Sequence, residues 1–126
     1  MKITAFNPMI LTKNAEETIA IFEALGFEKR HTKTGINDKD ISAIDMKNPD
    51  GFRISIVKAE MIPQDFVSIR MNVRDLDETI KTLEEKGFKN AQGAKITDTG
   101  SSKATMMVSP SGFSISVAEH IRKDQE

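Results

Sequence analysis

The chain has no cysteine, no tryptophan and no tyrosine, and its aromatic content consists of 7 phenylalanines. Without cysteine there can be no disulfide, no thiolate metal site and no cysteine nucleophile, which fits a reducing cytoplasm as the expected compartment. Histidine is scarce as well, with only His31 and His120. One stands in the polar stretch EKRHTKTG and the other in the tail AEHIRKDQE, so both read as solvent-exposed side chains rather than members of a triad. An excess of one charge is also missing: 18 Lys and Arg face 19 Asp and Glu, for a formal net charge of -1. No run of like charge occurs, which excludes the basic footprint of a nucleic-acid or anionic-membrane surface. No apolar run has the length of a membrane span, and the opening MKITAFNPMILTKNAEE lacks a signal-peptide pattern, so a soluble, unprocessed protein is expected.

What is present is a repeat. At 126 residues and 38% apolar content, the chain suits one domain over residues 1–126 with a continuous core. Compared with itself at an offset of 61, it matches without a gap. Glu17, Thr18, Ile19, Glu23, Gly26 and Phe27 recur as Glu78, Thr79, Ile80, Glu84, Gly87 and Phe88. Pro49, Gly51, Phe52, Ile54 and Ser55 recur as Pro110, Gly112, Phe113, Ile115 and Ser116, and Ala43 and Met46 as Ala104 and Met107. These are 13 identities over residues 5–58, where composition alone gives roughly 3.

Each copy has the same local grammar. AEETIAIFEAL, residues 15–25, sets Ala15, Ile19, Phe22 and Leu25 on one helical face, with Asn14 as N-cap and Gly26 as stop. Asp75 caps the second helix, whose stripe is Leu76, Ile80 and Leu83 and whose stop is Gly87. The tetrapeptides Asn48-Pro49-Asp50-Gly51 and Ser109-Pro110-Ser111-Gly112 read as hairpin turns. In the strands that follow, Phe52, Ile54 and Ile56 oppose Arg53, Ser55 and Val57, and Phe113, Ile115 and Val117 oppose Ser114, Ser116 and Ala118. The strand opening the second copy sets Val67, Ile69, Met71 and Val73 against Ser68, Arg70 and Asn72. Of the adjacent Met106 and Met107, one packs in the core and one faces the other way. An α+β fold is expected, with helices covering the apolar face of a sheet and the mixed face forming a cradle.

The motif Leu25-Gly26-Phe27, the turn Asn48-Pro49-Asp50-Gly51-Phe52 and its copy Ser109-Pro110-Ser111-Gly112-Phe113, duplicated in order, resemble the vicinal-oxygen-chelate superfamily of glyoxalases, bleomycin-resistance proteins and dioxygenases. The resemblance covers the whole chain. It implies two tandem βαβββ modules, about 5–58 and 66–119, in an eight-stranded half-barrel with one ligand site, and two-fold homodimers. In metal-dependent members, His, Glu or Gln ligands project from the first and last strand of each module. Here those positions align with Asn7, Ser55, Ser68 and Ser116. One amide and three alcohols carry no charge to offset a dication, so no metal and no other cofactor is expected.

Arg53 and Arg70 share the inward parity of Ser55 and Ser68, Asp45 can approach the same face, and Met9 and Leu11 share the parity of Asn7. An inward arginine needs an anionic partner, supplied either by Asp45 or by a ligand. The expected function is binding of a small, anionic organic molecule by Asn7, Met9, Asp45, Arg53, Ser55, Ser68, Arg70 and Ser116. The alternatives are a superfamily enzyme of lyase, dioxygenase or transferase type with an atypical or metal-free site, using Asp45 or Glu119 as acid and base, and a module for partner binding. Whether a reaction is catalysed stays open on the residues alone.

Overall fold

The structure, a computed structural model, describes residues 1–33, 42–91, 97–98 and 102–120. Along the chain run β1 (Ile3–Thr12), α1 (Ala15–Ala24), β2 (Glu28–Lys33), β3 (Ser42–Lys47) and β4 (Arg53–Lys58). The second series is β5 (Phe66–Val73), α2 (Leu76–Glu85), β6 (Lys89–Asn90), β7 (Thr97–Asp98), β8 (Ser102–Val108) and β9 (Ser114–His120). Two βαβββ modules are therefore present. The second departs from four strands in one respect: both β6 and the two-residue β7 pair with β8.

The chain divides into two compact units, Asn7–Ser68 and Met1–Phe6 with Ile69–Glu126. In the first, β1 pairs in parallel with β4, β4 antiparallel with β3, and β3 antiparallel with β2. In the other, β5 pairs in parallel with β9, and β9 antiparallel with β8. The amino terminus is held to this second unit: Arg74 N–H donates to the Lys2 carbonyl at 3.0 Å, and the terminal ammonium lies 3.6 Å from Glu78.

The offset of 61 holds in three dimensions. Met9 is in register with Ser55 on β4, and Arg70 with Ser116 on β9. Asp45 is opposite Ser55, and Met106 opposite Ser116. Each module buries its own core beneath its own helix: Ala15, Ile19, Met46, Ile54 and Ile56 in one, Met71, Val73, Leu76, Met107 and Val117 in the other. The counterparts Met46 and Met107 are both fully buried, so shortening either to alanine removes a thioether from the centre of a cluster, a change that costs about 2–5 kcal/mol.

Three expectations about apolar faces are corrected. Leu25, read as part of the α1 stripe, is 65% exposed, because the helix ends at Ala24 and Leu25 is its C-cap. Phe52 and Phe113, read as core, are also exposed, since each lies before the strand begins, where the turn still directs the chain. Phe113 instead packs its ring edge-to-face on Phe88. Val67 is exposed at the outset of β5.

The helix ends differ between modules. Asp75 caps α2 as expected, accepting from the Glu78 N–H at 3.0 Å. Asn14 occupies the N-cap position of α1 but makes no side-chain cap; Thr12 Oγ1 accepts from the Asn14 N–H instead. Both helices stop at a glycine with positive φ, 99° at Gly26 and 91° at Gly87. Only Gly87 is also crowded, since a Cβ there would sit 2.8 Å from the Pro110 Cγ, whereas Gly26 faces open space. Gly26→Ala should therefore cost about 1 kcal/mol for its backbone conformation alone. Gly87→Ala should cost more, because the Pro110 turn must also move. Urea unfolding of the two variants checks this; equal midpoints would show that the Pro110 contact carries no weight.

Candidate functional site

Strand alternation separates two faces in each module. In the first, Ile10, Ile44, Met46, Ile54 and Ile56 pack with α1. The opposite, helix-free face then carries Asn7, Met9 and Leu11 of β1, Asp45 and Lys47 of β3, and Arg53, Ser55 and Val57 of β4. In the second, Met71, Met107, Ile115 and Val117 pack with α2, leaving Ser68, Arg70, Met106, Ser114 and Ser116 on the helix-free face. The turns that precede β4 and β9 fix this alternation. Asn48 Oδ1 accepts from the N–H groups of Asp50 and Phe52. Ser109 Oγ, at the equivalent position, accepts from those of Gly112 and Phe113. Sequence reading gave weight to the proline and glycine of these turns and missed the polar side chain that locks them, although an Asn or Ser opening a turn is the available signal.

The first module's helix-free face holds a directed chain of hydrogen bonds. Asn7 Nδ2 donates to Ser55 Oγ at 3.0 Å and to the Pro8 carbonyl at 2.8 Å. Ser55 Oγ donates to Asp45 Oδ1 at 2.7 Å, the short distance expected of a hydroxyl on a carboxylate. Asn7 and Ser55 are 4% and 3% exposed, and Asp45 is half-buried. Asn7 and Asp45 are engaged in further interactions besides these. Met9 and Leu11, both buried, are the apolar residues of the same face of β1. The structure thus brings together four of the expected residues, Asn7, Met9, Asp45 and Ser55.

Arg53 is exposed at the beginning of β4, directly opposite Lys47, which in turn has Glu28 opposite it on β2. In the second module, Arg70 is half-buried beside Ser116, Ser68 is buried, and Ser114 lies next to Ser116 on the same face. Arg70, Ser68 and Ser114 are all engaged in polar interactions. Met107 is the core member of the methionine pair and Met106 its helix-free neighbour.

The two candidate acid–base carboxylates differ in their surroundings. Glu119 lies on the parity of Val117, on the helix side, and its Oε1 accepts from the Leu76 N–H at 2.9 Å. It therefore caps α2 at the positive end of the helix dipole. Asp45 is on the helix-free face. His120 is exposed, and the His31 side chain lies outside the described residues, as does the tail beyond residue 120.

The positions that the resemblance implies for metal ligands hold one amide, Asn7, and three alcohols, Ser55, Ser68 and Ser116. The Asn7 amide nitrogen donates to Ser55 Oγ, and the Ser55 hydroxyl is held between Asn7 and Asp45. Among the described residues there is no group of three or more His, Cys, Asp or Glu able to hold a metal ion.

No family model and no curated protein matches this chain. Solved structures do. Methylmalonyl-CoA epimerase from Mycobacterium tuberculosis is similar with a TM-score of 0.73 at 16% identity, over 98% of this chain and 92% of that one. Glyoxalase I from Zea mays is similar with a TM-score of 0.67 at 15% identity, over 94% of this chain and 43% of that one. A point variant of methylmalonyl-CoA epimerase from Streptomyces coelicolor, in complex with 2-nitronate-propionyl-CoA, has a TM-score of 0.67 at 15% identity, over 96% of this chain and 100% of that one. The protein has the vicinal-oxygen-chelate fold. At these identities the likeness establishes the architecture and leaves the chemistry to the chain's own residues.

Truncating Ser55 removes the acceptor of Asn7 and a donor to Asp45 in one step. Ser55→Ala should destabilise the protein by about 1–3 kcal/mol, the cost of buried polar groups losing partners. Ser116→Ala, at the equivalent but half-buried position, should change stability by less than about 0.5 kcal/mol. Denaturant midpoints decide; equal effects would mean that the chain of bonds contributes nothing.

Proposed function

We propose that this protein binds a small organic molecule on the helix-free faces of its strands, and does so without the metal used by many proteins of this fold. The observation that carries the reading is the Asn7–Ser55–Asp45 chain. Asn7 and Ser55, two of the four positions that the resemblance assigns to metal ligands, are here hydrogen-bonded to each other, and Ser55 to Asp45; all three stand on the same face as buried Met9 and Leu11. A few fixed polar groups among apolar ones is the composition of a small-molecule site. In the second module, half-buried Arg70 beside Ser116 is the group suited to a carboxylate, which favours a ligand with an anionic part. That a protein of this fold holds 2-nitronate-propionyl-CoA is in keeping with an organic ligand.

Untagged protein, dialysed and subjected to elemental analysis, should contain no stoichiometric zinc, nickel, iron or manganese, and calorimetric titration with zinc or nickel should show no tight site. Native mass spectrometry of the same preparation should show an organic adduct, with Arg70→Ala lowering its occupancy. One tightly bound metal equivalent that is lost on Asn7→Ala or Ser55→Ala would overturn the reading.

A further inference from the structure

We propose that the exposed face of α1 is a docking surface for an amphipathic helix of another protein, one that carries Lys or Arg beside its apolar residues. The surface lies on the helix side of the first module and does not depend on ligand binding at the helix-free faces. The second helix of the same chain is its control. At the offset of 61, Ala20, Ile21, Ala24 and Leu25 stand where the second module has Lys81, Thr82, Glu85 and Lys86. All eight positions are exposed, so the same place on two equivalent helices is apolar in one and polar in the other. Ile21 is 58% exposed and Leu25 65%. The Leu25 N–H donates to the Ile21 carbonyl at 3.1 Å, which sets the two side chains in line along the helix, and Ala20 and Ala24 form a row beside them. The core does not require this face, because α1 already packs through Ala15, Ile19 and Phe22 on its other side.

Charge names the occupant. The acids of the two helices correspond, Glu16, Glu17 and Glu23 matching Asp77, Glu78 and Glu84. The cations do not, since Lys81 and Lys86 have the apolar counterparts Ala20 and Leu25. Hence α1 carries glutamates and no basic residue, and Glu16, Glu17 and Glu23 form no ion pair with any described residue. Glu17 heads the line of Ile21 and Leu25, and Glu16 the row of Ala20 and Ala24, so a helix seated there meets carboxylates at its rim. Lys or Arg on that helix gains by pairing, whereas Asp or Glu is repelled. The same charge argues against a second copy docked through this face, which would set the glutamates of both along one contact. Size argues the same way: α1 has 10 residues and is about 15 Å long, whereas a stable dimer needs roughly 800 Å² from each partner. The alanines suit a helical occupant, because small side chains let two helix axes approach closely.

The test titrates the full 15N-labelled chain with a capped peptide of leucine and lysine, its leucines at helical i, i+3, i+4 and i+7 spacing, and with the same peptide carrying glutamate for lysine. The lysine peptide should bind saturably and move the amides of α1 and Leu25, and the glutamate peptide should bind roughly tenfold more weakly or less. Ile21→Thr with Leu25→Lys, which installs the residues of α2, should weaken the lysine peptide by about tenfold or more, with the circular dichroism and urea midpoint close to wild type. Glu16→Gln with Glu17→Gln and Glu23→Gln should weaken it by about threefold to tenfold and reduce its dependence on salt. Unchanged affinity in the Ile21 and Leu25 variant, equal binding of the two peptides, or amide shifts confined to the helix-free faces would overturn the inference. Sedimentation supplies a further arm: wild type and the Ile21 and Leu25 variant should have the same mass in solution, and a dimer lost in the variant would assign the face to a second copy instead.

Discussion

The parallel pairing of a module's first strand with its last is the constraint on which the rest of each module depends. Met9 against Ser55 and Arg70 against Ser116 fix which residues meet across the helix-free faces. A slip by one residue would turn Ile54 and Ile56 away from α1 and drive Arg53 and Ser55 beneath it. The apolar clusters under the helices prevent that slip, since the first holds Ile54 and Ile56 of the last strand and the second holds Val117, with Ile115 packed against it. Packing on one side of the sheet therefore sets the chemistry of the other. This is why the amide and hydroxyl of Asn7 and Ser55, 48 residues apart in sequence, stand within hydrogen-bond distance.

The modules share a backbone and reach it with different side chains. Asn48 and Ser109 tie equivalent turns, one through an amide oxygen and the other through a hydroxyl. Gly26 and Gly87 end equivalent helices, yet only Gly87 lies under a proline ring. The helix starts diverge further. Thr12 steadies the entry to α1, whereas α2 takes Asp75 from its own N-cap and Glu119 from the far end of its module. Two acceptors at one helix start satisfy two otherwise unpaired N–H groups and place negative charge at the positive end of the dipole.

What could be read from the sequence was what local periodicity and turn chemistry determine. The period of two placed Ile54, Ile56, Ile115 and Val117 on one face and the serines on the other. The constant offset made every motif in one module a check on its counterpart. Asp45 could be placed near Ser55 because a hairpin turn separates them by only 10 residues. Less accessible were features set by where an element stops or by a partner remote in sequence. Leu25 follows the last helical residue and Phe52 precedes the first strand residue, so extending a pattern by one position put both wrongly in the core. The Glu119 cap joins residues 43 apart, and no spacing rule finds it. Arg53 and Arg70 share a parity, but parity does not say how near to a strand end each lies, and Arg53 is exposed there.

The divergence is most informative along the central row of each module. In one the row reads Met9, Ser55, Asp45; in the other it reads Arg70, Ser116, Met106. Each serine is flanked by a methionine and by one charged group, but the charge has changed sign and side. It is an acid on the third strand in the first module and a base on the first strand in the second. A half-buried charge costs less when a polar neighbour solvates it, and Ser55 does this for Asp45 directly. Methionine on the other side supplies an apolar contact flexible enough to adapt to different shapes. A serine can serve either arrangement because its hydroxyl both donates and accepts, whereas a metal-ligating His or Glu in its place would bring a basic ring or a second carboxylate beside the charge. Serine at both positions thus lets two rows of one scaffold carry charges of opposite sign.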